Sequence, residues 1–116
     1  MGVDPIHYPD EPWEQVDDLL QRVVVEGERT TTTRYRFKPG GRFSRHRHSQ
    51  EQVTYVIGGD FRFTIDGIEH RLEGDSHAVV PPDLIHSGEA GPEGAEIIAI
   101  VAPARQGEPV EMLEEG

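Results

Sequence analysis

The sequence predicts an all-β domain of the sandwich or barrel kind, and three observations carry the prediction. Short apolar segments recur along the chain about every 8–12 residues, each closed by turn residues. The 13 Gly and 9 Pro fall mostly between those segments rather than inside them. Within the segments, polar and apolar residues alternate with a period of two, which places one set on each face of a strand. No repeat and no low-complexity stretch interrupts this order.

Taken in order, the elements are these. A short helical turn is expected around Glu14 to Leu20, followed by a strand from Gln21 to Glu26. Thr30 to Lys38 alternates: Thr33, Tyr35 and Phe37 share a face expected to turn inward, and Arg34, Arg36 and Lys38 form an outward basic face on an expected edge strand. Gln52 to Ile57 is a strand closed by Gly58-Gly59, with Thr54 and Val56 inward if Gln52 is. Phe61, Phe63 and Ile65 alternate with Arg62 and Thr64, and with Phe43 the two phenylalanines read as core. Asp66-Gly67 marks a tight hairpin, from which Ile68 to Leu72 returns. Ala78 to Val80 and Ala95 to Val101 supply the last strands.

Size and charge narrow the function. A chain of 116 residues suits one domain. The reading divides it into an N-terminal arm (1–12), a barrel (13–106) and an acidic C-terminal tail (107–116). The formal net charge of −11 argues against nucleic acid and anionic membranes as partners. The absence of cysteine excludes disulfides, thiolate nucleophiles and Cys-based zinc sites. The first residues lack the basic and apolar regions of a signal peptide, and the longest apolar stretch, Ile97 to Val101, is only strand-sized. A cytoplasmic location is therefore expected.

The chemistry concentrates in Gly40-Gly41-Arg42-Phe43-Ser44-Arg45-His46-Arg47-His48-Ser49-Gln50-Glu51-Gln52. On a strand, His46 and His48 project to the same side with α-carbons about 6–7 Å apart, so their imidazoles can converge on one ion. Gln52 opens the next strand and can add a third donor. Imidazole and amide oxygen together suit a first-row divalent metal. A second segment, Gly74-Asp75-Ser76-His77-Ala78-Val79-Val80-Pro81-Pro82-Asp83-Leu84-Ile85-His86, lies downstream.

The two segments together resemble the paired signature motifs of the cupin superfamily. The first fits G-x5-H-x-H-x3-(E/Q)-x6-G through Gly40, His46, His48, Gln52 and Gly59. The second is similar to G-x5-P-x-G-x2-H through Gly74, Pro81 and His86. It departs by one extra residue before Pro81, which is expected to form a bulge, and by Asp83 in place of the usual Gly. Asp tolerates the left-handed turn that this glycine serves. The resemblance implies a single-domain double-stranded β-helix (a jelly-roll barrel). It also implies a divalent transition metal (Fe, Mn, Ni, Zn or Cu) on His46, His48, Gln52 and His86. Glu51 is the rival third ligand, but the motif spacing favours Gln52 and alternation turns Glu51 outward. A ligand set with no carboxylate leaves the ion's charge uncompensated, and so favours an anionic, chelating substrate. His7, His70 and His77 are expected at the surface.

The runs HRHSQEQVTYVIGG, EGDS and IIAIVAPAR resemble small cupins of the pectin-degradation type. This implies a metal-assisted ring opening of an unsaturated uronate. The acidic and aromatic residues usual on the last core strand are replaced here by Ala99 and Val101, while Pro103 and Arg105 are retained. Tyr35, Glu51 and Arg105 remain as candidate catalytic residues. The expected function is a metal-dependent lyase or isomerase acting on an oxygenated, anionic small molecule. The alternatives are a cupin dioxygenase acting on an enol or diol, and a non-catalytic binding module or biosynthetic tailoring partner. A homodimer is expected, because a barrel of this size leaves strand edges to cover.

Overall fold

The computed structural model describes residues 4–105 and 111–113. The alternating segments become strands: β1 (Glu14–Asp17), β2 (Leu20–Glu26), β3 (Thr31–Phe37), β4 (Arg42–Arg47), β5 (Glu51–Ile65), β6 (Ile68–Glu73), β7 (Ser76–Val80), β8 (His86–Ala102) and β9 (Glu111–Met112). Every pairing is antiparallel. The double-stranded β-helix of the cupin resemblance is the architecture observed.

Two long strands organise it. The first half of β5 pairs with β7 and with the second half of β8, from Glu51↔Ala102 to Gly59↔Ala95. The second half of β5 pairs with β6 and with the first half of β8, from Phe61↔Ala90 to Ile65↔His86. The ladder is irregular between these halves, at Val56/Gly58 and Gly59/Phe61. Each strand thus serves both layers. β3 and then β2 and β1 extend one layer, and β4 and then β9 extend the other.

The crossing explains the last glycine of the first motif. Gly59 has φ +89°, and a Cβ there would lie 2.2 Å from the Gly94 carbonyl oxygen. Below the crossing, Leu20, Phe37, Val56, Phe61, Phe63, Val80 and Ile97 form one buried cluster. Gly88 belongs to the same packing, since a Cβ on it would reach within 2.1 Å of the Phe61 ring. The Asp66-Gly67 hairpin forms as expected, with φ +51° and +81°. Asp83 takes φ +66°, the left-handed conformation of the glycine it replaces.

Three expectations are corrected. Glu14–Asp17 is a strand, not part of a helix, and it pairs with β2 through an irregularity between Gln15 and Asp17. Asp17 accepts the Leu19 N–H at 2.8 Å, a local turn bond that competes with helix formation. The extra residue before Pro81 makes no bulge in β7, whose register with β5 runs unbroken from Gln52↔Val80 to Val56↔Ser76. The Gly74-Asp75 turn lies just before it, with Asp75 at φ +68°. Arg34 and Arg36 do face outward, but on a central strand rather than an edge. Both pair with Glu96, at 3.1 and 2.9 Å. Aromatic rings preceding β1 stack on them, with the Arg34 guanidinium 5.0 Å from the Tyr8 ring centroid and that of Arg36 4.0 Å from that of Trp13.

Most of the acidic tail, 107–110 and 114–116, lies outside the described residues. Within it, β9 pairs with β4 through His46↔Met112 and Arg47↔Glu111, reinforced by a 2.6 Å ion pair between Arg47 and Glu111.

Gly59→Ala is expected to cost about 3 kcal/mol of stability, from backbone strain combined with an unavoidable clash. Gly67→Ala has the strain without the clash, because nothing lies within 4 Å of its Cβ position. It should cost about 1–2 kcal/mol. Urea midpoints of the two variants check the difference, and equal losses would contradict the close crossing.

Candidate metal centre

The centre is assembled from strand ends. His46 lies inward on β4, and His48 follows one residue after that strand ends. Gln52 is the second residue of β5, and His86 opens β8 as the direct cross-strand partner of His46. The ring centroids of His46, His48 and His86 lie 4.1–5.8 Å from one another. One ring nitrogen from each falls within a span of 4.8 Å. All three residues are buried, as are Gln52 and Thr54. Phe43 packs edge-on against His46 at 5.3 Å and Phe63 against His86 at 6.0 Å, so aromatic rings support the imidazoles from below.

Hydrogen bonding fixes which nitrogen faces the centre. Nδ1 of His46 lies 2.8 Å from the Ser44 carbonyl, that of His48 3.1 Å from the Gln50 carbonyl, and that of His86 2.9 Å from the Leu84 carbonyl. A carbonyl only accepts, so each Nδ1 carries the proton and donates it. Each Nε2 is then left with a lone pair directed inward, the arrangement of a histidine poised to ligate.

Two of these lone pairs lack an adequate protein partner. His86 Nε2 is buried and makes no hydrogen bond. His48 Nε2 faces Gln52 Oε1 at 3.0 Å. Gln52 donates its amide N–H to Thr54 Oγ1 at 2.8 Å, which turns the amide oxygen toward the histidine. With His48 neutral, two acceptors confront each other, and a cation shared between them would convert repulsion into ligation. The residues present therefore fit a divalent metal.

The electrostatics agree. Burial pushes the His86 imidazole down to about 4, with His46 adding to the effect. Burial also lowers His46 and His48; the neighbouring His48 assists at the first and Arg105 at both. All three are thus neutral near pH 7, the state that metal ligation needs.

The centre opens on a cavity of about 230 Å3 whose walls include Arg22, Thr33, Tyr35, His46, Gln52 and Arg105. Of the candidate catalytic residues, Tyr35 and Arg105 line this cavity. Glu51 is exposed on the outer face of β5 and does not. Ala99 and Val101 form part of the wall, so the strand positions read as lacking an acid do face the site. His7, His70 and His77 are exposed, as expected. Sequence reasoning missed Arg22. Its signal was the alternation Leu20-x-Arg22, which places the arginine on the face of a core leucine.

Because folding lowers the His86 pKa below its ordinary value of 6.5, the folded state binds fewer protons between about 4 and 6.5. Stability of metal-free protein is therefore full above pH 6.5 and declines as pH falls toward 4. Urea titrations across this window should show a steeper decline for the native sequence than for His86→Gln, and identical slopes would contradict the assignment.

The sequence pattern of the cupin domain matches residues 33–101. KdgF from Halomonas sp. superposes with a TM-score of 0.83, at 23% identity over 94% of this chain and 100% of that one. An RmlC-like cupin from Shewanella frigidimarina superposes with a TM-score of 0.81, at 25% identity over 88% of this chain and 92% of that one. The dimethylsulfoniopropionate lyase DddW of Ruegeria pomeroyi is 34% identical over 58 residues, 50% of this chain and only 38% of the lyase. With the motif residues gathered at one centre inside a double-stranded β-helix, the chain belongs to the cupin domain family.

Proposed function

We propose that this protein is a metal-dependent enzyme that performs lyase or isomerase chemistry on a small, oxygenated, anionic molecule. One observation carries the reading: three neutral imidazoles, each oriented by a backbone carbonyl, aim Nε2 at a common point beside Gln52 Oε1 and an open cavity. A bound divalent ion (iron, manganese, nickel, zinc or copper) would polarise a carbonyl or enolate oxygen and lower the pKa of a coordinated water. His46, His48, His86 and Gln52 would hold it.

The remaining residues orient the substrate and move protons. Among the described residues no carboxylate lines the cavity, and Arg105 adds a positive charge beside the histidines. An anionic group is therefore attracted and held against the Arg105 guanidinium. Tyr35 lines the cavity, and its phenolic hydroxyl can give or take a proton there. The similarity to DddW over half the chain supports a lyase over an oxygenase.

We also read the chain as a homodimer. Support comes from the outer sheet face, where exposed Val79 and Ile100 flank Val53 across adjacent strands. Light scattering at micromolar concentration should give twice the chain mass; a monomer would overturn that reading.

Protein purified without chelators should carry about one equivalent of transition metal, and His48→Ala about a tenth or less. Thr54→Val, which frees the Gln52 amide, should weaken metal affinity about 10-fold without unfolding the barrel. Native protein that is metal-free and refuses added metal would overturn the enzyme reading. Once a substrate is found, Tyr35→Phe should lower turnover by about 100-fold or more while metal content stays unchanged.

A further inference from the structure

The cavity inverts the character of the chain around it. Acidic residues outnumber Lys and Arg by 22 to 11 overall, yet among the described residues the cavity wall carries two arginines and no carboxylate. Arg22 reaches it from β2 and Arg105 from the segment after β8.

The two cations are balanced differently. The Nε of Arg105 is buried and has no hydrogen-bond partner, and no carboxylate among the described residues pairs with its guanidinium. Its backbone N–H is fixed by Thr31 Oγ1 at 2.8 Å, and Thr31 in turn donates to Glu26 at 2.8 Å, so the residue is held in place from behind. A partly buried guanidinium with an unsatisfied N–H is costly unless an anion meets it. Arg22 lies directly opposite Tyr35 in the β2–β3 register, and its Nε donates to Glu14 Oε1 at 2.6 Å. Glu14 belongs to the exposed first strand and is not a wall residue. Its carboxylate occupies the edge of a guanidinium that otherwise serves the cavity. An exposed ion pair of this kind stabilises little, so an incoming carboxylate can displace it at small cost.

We infer that the cavity accepts a dicarboxylate, with one carboxylate on Arg105 and the other on Arg22, and that Glu14 occupies Arg22 until the ligand displaces it. This deepens the anionic-substrate reading and rests on the same cavity. It assigns a specificity role to Arg22 and a competing, self-ligating role to Glu14. Arg105 selects for negative charge, and Arg22 distinguishes two charged groups from one.

The test compares binding of succinate and butyrate, equal in chain length and different by one carboxylate, by calorimetry on the full chain. It is run on metal-loaded and on chelator-treated protein. Succinate should bind about 10-fold or more tightly than butyrate, the value of one additional charge-assisted contact. Arg22→Gln should bring succinate down to the butyrate level, whereas Arg22→Lys should keep the preference. Glu14→Gln should tighten succinate several-fold and leave butyrate unchanged, an effect opposite in sign to any general loss of structure. Equal binding of the two acids, no detectable succinate binding, or a preference that survives Arg22→Gln would overturn the inference. The two readings fail separately: succinate preference in a protein that takes up no metal leaves this inference standing, and metal uptake without preference overturns this inference alone.

Discussion

Three hydrogen bonds from imidazole to backbone govern the site. His46 and His86 each donate Nδ1–H to the carbonyl two residues before, and His48 to the carbonyl two residues after. None of these acceptors is a side chain, so ring orientation is set by the path of the chain itself. The tautomer follows from the acceptor, the direction of the Nε2 lone pair follows from the tautomer, and the common focus of three lone pairs follows from strand register. Burial adds to this by holding the rings neutral. An imidazolium in the same position would present a proton where a ligand lone pair is needed.

The barrel maintains that backbone path. His46 and His86 face each other on paired strands only because β8 continues through the crossing into the layer that holds β4. The crossing depends on Gly59, whose missing side chain lets β5 pass close to Gly94. Phe61 and Phe63 then fill the space beneath the histidines and leave the open end to a cavity lined by arginine, tyrosine and threonine. Apolar packing at one end and the unpaired His86 Nε2 and Arg105 Nε at the other divide the molecule into a scaffold and a reactive mouth. Unpaired buried polar groups cost stability, so these two mark where a ligand belongs; the third among the described residues, Asp60 Oδ1, sits at the crossing, where its partner oxygen pairs with Arg71 at 3.1 Å.

Much of this was legible in the sequence. Period-two alternation located most of the strands, because each has one face against the core. The histidine spacing located the centre, because residues two apart on a strand share a face. Asp66-Gly67 announced its hairpin through its turn chemistry. Less was legible where tertiary contacts decide. Glu14 to Leu20 carries no alternation strong enough to outweigh a helical reading, and the pairing partner in β2 settles it as a strand. Arg22 has only a faint signal, its place two residues from Leu20 on one face of β2, and the closing of the barrel is what puts it in the cavity. The amide direction of Gln52 depends on Thr54 and on His48, and no spacing rule contains that information.

The orientation of the imidazoles is directly observable. Among the six histidines, 15N correlation spectra of metal-free protein near pH 7 should show three neutral rings protonated at Nδ1, belonging to His46, His48 and His86. Titration with zinc should shift the Nε2 resonances of those rings and leave those of His7, His70 and His77 in place. Rings protonated at Nε2, or imidazolium signals at these three positions, would contradict the account at its centre.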